Sequence, residues 1–178
     1  MHVMKLMKRN WFLGVCLLFC AVLCQRCGVT YSFTGGSIPE GMKTVNVRFF
    51  ENNAPIVYPT HSQLFTEALK ERIRSQSSLS QVDNDGDATF EGRITGYSIT
   101  PAAVEAGTNR AALNRLTITV NVKYTNNIEP EDSFEQSFSR FMDFSSATNS
   151  IQGQEETLIR EINEMLTEDI FNRAFANW

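Results

Sequence analysis

The clearest pattern of apolar and polar positions is a strict alternation over residues 113–125. The apolar positions, which share one side of an extended chain, are Leu116, Ile118, Val120, Val122 and Tyr124. The positions between them are polar and include Arg115, Thr117 and Lys123. Alternation with a period of two is typical of a strand with one buried face and one solvated face. This segment is therefore predicted to lie in an antiparallel sheet that is covered on one side only.

Three more segments carry strand patterns. Residues 44–50 alternate Val45, Val47 and Phe49 with polar neighbours, which predicts that these three side chains face the core. Residues 88–100 are predicted to form a strand that breaks at Pro101. Residues 133–144 place four apolar side chains on one face, namely Phe134, Phe138, Met142 and Phe144. Residues 126–130 are predicted to form the turn that precedes this last strand.

Two segments show helical periodicity. The first begins at Thr60 and runs to about Ser75, with Gln63 at the spacing of a capping box. Its predicted core face contains Leu64, Phe65, Ala68, Leu69 and Ile73. The second runs over residues 152–175, and its apolar stripe is Leu158, Ile162, Met165, Leu166 and Ile170. The acids predicted to face away from the core are Glu155, Glu156, Glu161, Glu164 and Glu168.

The predicted order of elements is strand, helix, three strands, helix. One apolar sheet face and two apolar helix stripes can bury each other in two layers. We therefore predict an α+β fold: a two-layer sandwich with a mostly antiparallel four-stranded sheet and two helices on one face. Residues 44–178 are expected to form this single domain.

The amino-terminal residues have the composition of a secretory signal. Lys5, Lys8 and Arg9 precede an apolar run over residues 11–23. That run is short for a membrane span, which needs about 20 apolar residues. Residues 1–26 are therefore predicted to be a signal peptide. The glycine-rich residues 27–43 suit a tether or edge segment.

The four cysteines all lie in or just after this signal, at positions 16, 20, 24 and 27. The folded part of the chain therefore has no disulfide. A cysteine directly after a signal core indicates a bacterial lipoprotein, and Cys27 is the favoured lipidation site because Gly28 and polar sequence follow it. Cys24 is the alternative site. An ordinary signal, or a short uncleaved anchor with incidental cysteines, is the alternative interpretation.

Charge and composition exclude several functions. Residues 1–26 carry four cations and no acid, so their removal lowers the formal net charge from −4 to −8 and disfavours nucleic acid as a partner. The only histidines are His2 and His61, so no His cluster for zinc and no Ser-His-Asp set can be proposed. His61 is predicted to be a solvated residue in the first helical turn.

The acids Asp83, Asp85 and Asp87 do not match a calcium loop. Gly86 occupies the fourth position and Ile94 the twelfth, where an EF-hand needs glycine at the sixth and glutamate at the twelfth. These acids are therefore predicted to form a turn before a strand. No catalytic residue, metal site or cofactor is predicted.

One region has an excess of cations. Residues 92–128 contain Arg93, Arg110, Arg115 and Lys123 against Glu105, a local charge of +3. Arg115 and Lys123 share the polar face of one predicted strand with hydroxyl and amide side chains. Together with Arg93 they are candidate contacts for a phosphorylated glycolipid or for the polar lumen of a β-barrel. The alternative is an ordinary solvated sheet face.

Several segments together resemble the Bacteroidetes branch of the LptE-like lipopolysaccharide-assembly lipoproteins. They are residues 27–35 (CGVTYSFTG), 37–39, 43–45, 111–120 (AALNRLTITV), 134–141 (FEQSFSRF) and 169–178 (DIFNRAFANW). The resemblance implies a lipid-anchored outer-membrane protein that plugs the LptD β-barrel and helps to place lipopolysaccharide in the outer leaflet. It also implies that Cys27 is the lipidated residue.

These observations favour a non-enzymatic lipoprotein that assembles with an LptD-like barrel. The alternative is a periplasm-facing glycolipid carrier, also a lipoprotein, without an obligate barrel partner. A hydrolase is disfavoured because the sequence offers no recognisable catalytic set.

Overall fold

The computed structural model describes residues 38–56, 58–104, 111–145 and 151–176, and within these ranges it contains six strands and two α-helices. The strands are β1 (Thr44–Val47), β2 (Glu51–Asn52), β3 (Ser80–Gln81), β4 (Ala88–Val104), β5 (Ala111–Asn126) and β6 (Phe134–Phe144). The helices are α1 (His61–Gln76) and α2 (Ile151–Phe175). A short 3-10 turn, Pro130–Asp132, precedes β6.

The strands form one mixed sheet in the order β3-β1-β4-β5-β6, and β2 also pairs with β4. β4, β5 and β6 are antiparallel neighbours, whereas β1 runs parallel to both β3 and β4. The predicted α+β class is confirmed. The prediction missed the two-residue strands β2 and β3 and the parallel pairing of β1, because such short strands leave no periodic signal.

The predicted alternation in β5 is confirmed. Ile118 and Val120 are fully buried, and they lie opposite Tyr97 of β4 and Phe138 of β6 respectively. The two helices pack against each other; α1 contacts the β1 side of the sheet and α2 contacts β5 and β6. One face of the sheet therefore forms the core with the helices, and the opposite face of β4, β5 and β6 carries the polar side chains.

The core also includes a residue before β1. Met42 is only 6% exposed, and Ile38 packs against the same cluster. The turn that joins them contains Gly41, whose φ of 110° lies in the left-handed region that glycine adopts most easily. Part of the predicted tether segment therefore packs on the folded body.

The prediction for Phe49 is wrong, because 61% of Phe49 is exposed while Phe50 is fully buried. β1 ends at Val47, and the Arg48 N–H then donates to the Phe90 carbonyl. This break in the strand shifts the alternation by one residue. Phe50 consequently points inward and meets Phe65 of α1, with ring centroids 5.0 Å apart.

The prediction that the first long strand breaks at Pro101 is also wrong, since β4 continues to Val104. Pro101 lies opposite Asn114 of β5, next to a register shift between Pro101 and Ala103. β1 and β2 pair with β4 only as far as Ile94, so at Pro101 no described strand lies on the other side. A proline is tolerated there because its missing N–H removes no ladder hydrogen bond.

The helices occupy the predicted segments, with two local differences. Thr60 is the N-cap residue of α1, but its side chain makes no capping hydrogen bond. Glu155 of α2 does not face away from the core, because its carboxylate accepts a hydrogen bond from the Tyr97 hydroxyl of β4. The apolar stripe of α2 is confirmed, with Leu158, Ile162, Leu166 and Ile170 buried and Met165 half-buried.

Candidate functional site

The candidate site is the face of β4, β5 and β6 that points away from the helices, which we name the outer face. Its central side chains are mostly hydroxyls and amides: Ser98, Thr117, Thr119, Asn121, Ser137 and Ser139. The Thr119 and Ser139 hydroxyls lie 3.0 Å apart in a cross-strand hydrogen bond. The outer face is therefore a surface rich in hydrogen-bonding groups.

Arg115 lies at one end of the outer face, as predicted, but it already has two partners. Its guanidinium donates to both carboxylate oxygens of Asp143 on β6, at 2.7 and 2.9 Å. It also stacks over the ring of Phe141, 3.8 Å from the centroid, and 49% of Phe141 remains exposed. The hydrogen bond from Arg115 lowers the pKa of Asp143, so this carboxylate stays ionised.

Lys123 lies near the other end of the outer face and is also paired. Its Nζ donates to Glu91 Oε1 of β4 at 2.8 Å, and Arg48 Nη1 donates to the other oxygen of Glu91 at 3.0 Å. The hydrogen bond from Lys123 lowers the pKa of Glu91. Arg93 is exposed, lies opposite Asn121 and Glu51, and forms no ion pair within 4.0 Å to any described residue.

The predicted excess of positive charge is not found where these cations meet. Arg48, Arg93 and Lys123 line a depression of about 450 Å³ together with Glu51, Glu91 and Glu135, so the formal charges balance. The local charge of +3 was counted over residues 92–128 of the sequence. In the sheet, acids from outside that range, on β2, β4 and β6, lie beside the cations. Oppositely charged residues at positions that pair across antiparallel strands are the sequence pattern that could have indicated this balance. Arg110 and Glu105 lie outside the described residues.

The prediction that His61 is solvated is wrong, because its side chain is fully buried between α1 and α2. His61 Nε2 lies 3.2 Å from Asn163 Oδ1, and its ring centroid lies 6.2 Å from that of Tyr97. Burial lowers the pKa of His61, and the contact with Asn163 opposes this shift only in part. The first residue of α1 points at the neighbouring helix, and the sequence holds no local signal for that contact.

Asp87 has a structural role that agrees with the predicted turn. Its Oδ2 accepts hydrogen bonds from the Lys43 and Thr44 N–H groups and from the Thr44 hydroxyl, at 2.8, 2.9 and 2.8 Å. The carboxylate thus ties the start of β1 to the start of β4. These hydrogen bonds, the one from the Lys43 N–H most, lower the pKa of Asp87.

Two further features of the described residues concern metal binding and membrane spanning. Within the part of the chain that the structure describes, no three His, Cys, Asp or Glu side chains group closely enough to hold a metal ion. No helix among those residues is long and apolar enough to cross a membrane. The candidate lipidation sites Cys27 and Cys24 lie outside the described ranges.

Several solved structures are similar to this one in fold. A hypothetical protein from Chlamydia trachomatis matches with a TM-score of 0.55 at 9% identity, covering 74% of this chain and 95% of that one. Lipoprotein B from Nitrosomonas europaea matches with a TM-score of 0.50 at 14% identity, covering 75% and 81% respectively. The rare lipoprotein B from Shewanella oneidensis has a TM-score of 0.48 at 12% identity, covering 73% and 92%. The first two similarities establish the α+β fold of this class.

The LptE family model, described as lipopolysaccharide-assembly, matches residues 42–174. The chain therefore belongs to the LptE family, whose members are non-enzymatic assembly lipoproteins. No curated protein matches the sequence.

Proposed function

We propose that this protein is an outer-membrane lipoprotein of the Bacteroidetes type that assembles with an LptD-like β-barrel, plugs its lumen and assists insertion of lipopolysaccharide into the outer leaflet. In this proposal the signal over residues 1–26 is removed and Cys27 carries the lipid anchor. Family membership supports lipopolysaccharide assembly as the process. The observation that carries the barrel partnership is the polar outer face, which we propose as the docking surface.

The chemistry of the outer face suits the wall of a barrel lumen, which is polar. Its central hydroxyls and amides offer both donors and acceptors to such a wall. At its ends, Arg115 and Lys123 bring their own carboxylates, Asp143 and Glu91. At these two ends docking therefore covers ion pairs rather than isolated charges, which limits the desolvation cost there.

The same face supports a role in contacting lipopolysaccharide phosphates. Arg93 is exposed and forms no ion pair with a described residue, so its guanidinium can meet a phosphate directly. Arg115 and Lys123 would have to exchange a carboxylate for the phosphate. Such an exchange is feasible because exposed ion pairs are weak. Arg93 is therefore the first of the three candidate contacts.

Site-specific photo-crosslinking in the native envelope tests the partner and the face together. A photoreactive amino acid at Thr119 or Ser137, on the outer face, should yield a covalent adduct with a large β-barrel protein. The same amino acid at Glu67 or Glu156, which are exposed on the helices, should yield little of that adduct. If only the helix positions gave the adduct, the barrel partnership would be supported, but the outer face would not be the docking surface.

Affinity capture in detergent tests the barrel partnership itself. If no large β-barrel protein is recovered, and the purified protein binds lipopolysaccharide without any partner, the glycolipid-carrier hypothesis replaces the barrel-plug hypothesis.

The anchor is tested by Cys27→Ser with a metabolic fatty-acid probe. The variant should lose the label and leave the membrane fraction while its domain stays folded, because Cys27 precedes every described residue. Cys24→Ser is the matched control and should keep the label. A label that persists in Cys27→Ser would move the anchor to Cys24 or Cys20.

A further inference from the structure

β6 is the last strand on one side of the sheet. It pairs with β5 from Tyr124↔Phe134 to Asn114↔Phe144, and no described residue pairs with its other edge. In an antiparallel pair, alternate residues direct their N–H and C=O groups away from the partner strand. β6 therefore presents a row of unpaired backbone donors and acceptors, which is a template for one more strand.

A groove of about 550 Å³ lies beside this edge, between β6 and α2. Its apolar surface comes from Phe141 and Met142 of β6 and Met165 of α2. The two methionines are half-buried, and methionine side chains adapt to irregular ligands. Arg140 of β6 donates to both carboxylate oxygens of Asp169 on α2 at 2.6 Å, so an ion pair bridges the strand and the helix.

The helix side of the groove is acidic. Glu161, Glu164 and Glu168 are exposed and follow one another at spacings of three and four residues, so they project from one side of α2. Arg72 of α1 also lines the groove, and its guanidinium donates to the Glu164 backbone carbonyl at 3.1 Å. Asp143 is the acid on the strand side, and it is paired with Arg115. The three glutamates therefore give this wall its negative charge.

We propose that the groove binds an extended, basic segment of a partner protein, which adds to the sheet as a strand next to β6. In an added strand, every second side chain points toward α2. A lysine or arginine at those positions can lay its aliphatic stem over Met142 and Met165 and place its charge at the glutamates. Backbone hydrogen bonds to β6 supply affinity, and the alternate cations supply specificity.

A second copy of this chain fits the groove less well than a basic segment. The body that follows the predicted signal has a formal charge of −8, and a second β6 would bring a second acidic wall with it. The proposal does not depend on the barrel partnership, because it concerns the edge of the sheet rather than the outer face.

Fluorescence anisotropy with the purified protein provides the test. The probe is a labelled, end-blocked heptapeptide that alternates threonine and lysine, and the matched control has the same composition with its lysines in one block. The alternating probe should bind more tightly. Substituting Glu161, Glu164 and Glu168 together by Gln should weaken its binding about tenfold, since three exposed charge contacts contribute little each. Substituting Glu40, Asp83 and Glu131, exposed acids outside the groove, by Gln, Asn and Gln should leave binding unchanged.

Backbone methylation distinguishes strand addition from a purely electrostatic contact. One probe carries N-methyl groups on its odd-numbered amides and a second probe carries them on its even-numbered amides. Only one of the two should lose binding, because only one set of amides faces β6. The proposal would be overturned if the two methylated probes bound equally well, or if the block peptide bound as tightly as the alternating one. It would also be overturned if the control triple variant lost as much affinity as the glutamate variant. A dimer in sedimentation that the glutamate substitutions tighten would replace the basic partner by a second copy.

Discussion

Lowering the pH from about 7.5 to 5.5 should destabilise the protein through one side chain, His61. The imidazole is fully buried, its Nε2 contacts Asn163, and its Nδ1 has no hydrogen-bond partner among the described residues. The Tyr97 hydroxyl, whose ring faces His61 at 6.2 Å between centroids, donates to the Glu155 carboxylate of α2. Protonation would therefore place a cation with an unpaired N–H inside the core, which is costly.

The sign and size of the effect follow from linkage. Burial lowers the pKa of His61 in the folded state below 6.5, so the unfolded chain takes up the proton first. The contribution of neutral His61 to stability is complete above about pH 6.5 and is lost as the pH falls toward the folded pKa. Over this window the loss has an upper limit of about 1.4 kcal/mol, the value reached if the folded protein never takes up the proton.

Urea unfolding at both pH values, for the wild type and for His61→Gln, measures this loss. The wild type should lose stability at the lower pH, whereas the variant should lose much less because glutamine does not titrate. The acids whose pKa is lowered, such as Glu91 and Asp143, titrate below this window and do not interfere. An equal loss in both proteins would refute the reasoning.

Three further predictions concern the sheet. Gly92→Ala should destabilise the protein by about 1–3 kcal/mol in urea unfolding, because the added Cβ would lie 2.1 Å from the Asn121 backbone oxygen. Gly96→Ala is the control and should cost less, since the nearest atom to its Cβ would be the Thr119 Cβ at 3.0 Å rather than a backbone oxygen at 2.1 Å; equal losses would contradict this. Arg115→Glu combined with Lys123→Glu should reduce barrel capture and should also lower the urea midpoint, because each new carboxylate lies against the former partner, Asp143 or Glu91; unchanged capture would count against the outer face. Asp87→Asn should lower the melting temperature at neutral pH, and the difference should vanish as the pH falls well below 3.8, because the lowered pKa of Asp87 stabilises the fold only while it is ionised.

The main elements of the fold could be predicted because their patterns are long. β5 and α2 each repeat their apolar period several times, so a single exception does not change the interpretation. β2 and β3 have two residues each and exist only because β4 and β1 lie beside them. Phe49 and Phe50 were assigned to the wrong sides for a related reason, since nothing in the local pattern of residues 44–50 shows that β1 ends at Val47.

The candidate site could be predicted only in part. The alternation in β5 placed Arg115 and Lys123 on the solvated face, and the structure has them there. Their carboxylate partners come from β4 and β6, and pairing between strands is set by register rather than by local sequence. His61 and Asn163 are 102 residues apart in the chain, so only the packing of α1 on α2 brings them together.

The position of β1 determines how the folded body would carry mechanical load. β1 lies between β3 and β4, and the chain that leads back toward the amino terminus enters it through Met42. A pull on that chain acts on a strand held from both sides and clamped at its start by Asp87. Its hydrogen bonds to β3 and β4 run across the strands, at the slant of parallel pairs, so tension along β1 loads them together instead of opening them one by one. For the proposed anchor at Cys27, the point of attachment to the folded body is therefore a strand inside the sheet rather than a strand at its edge.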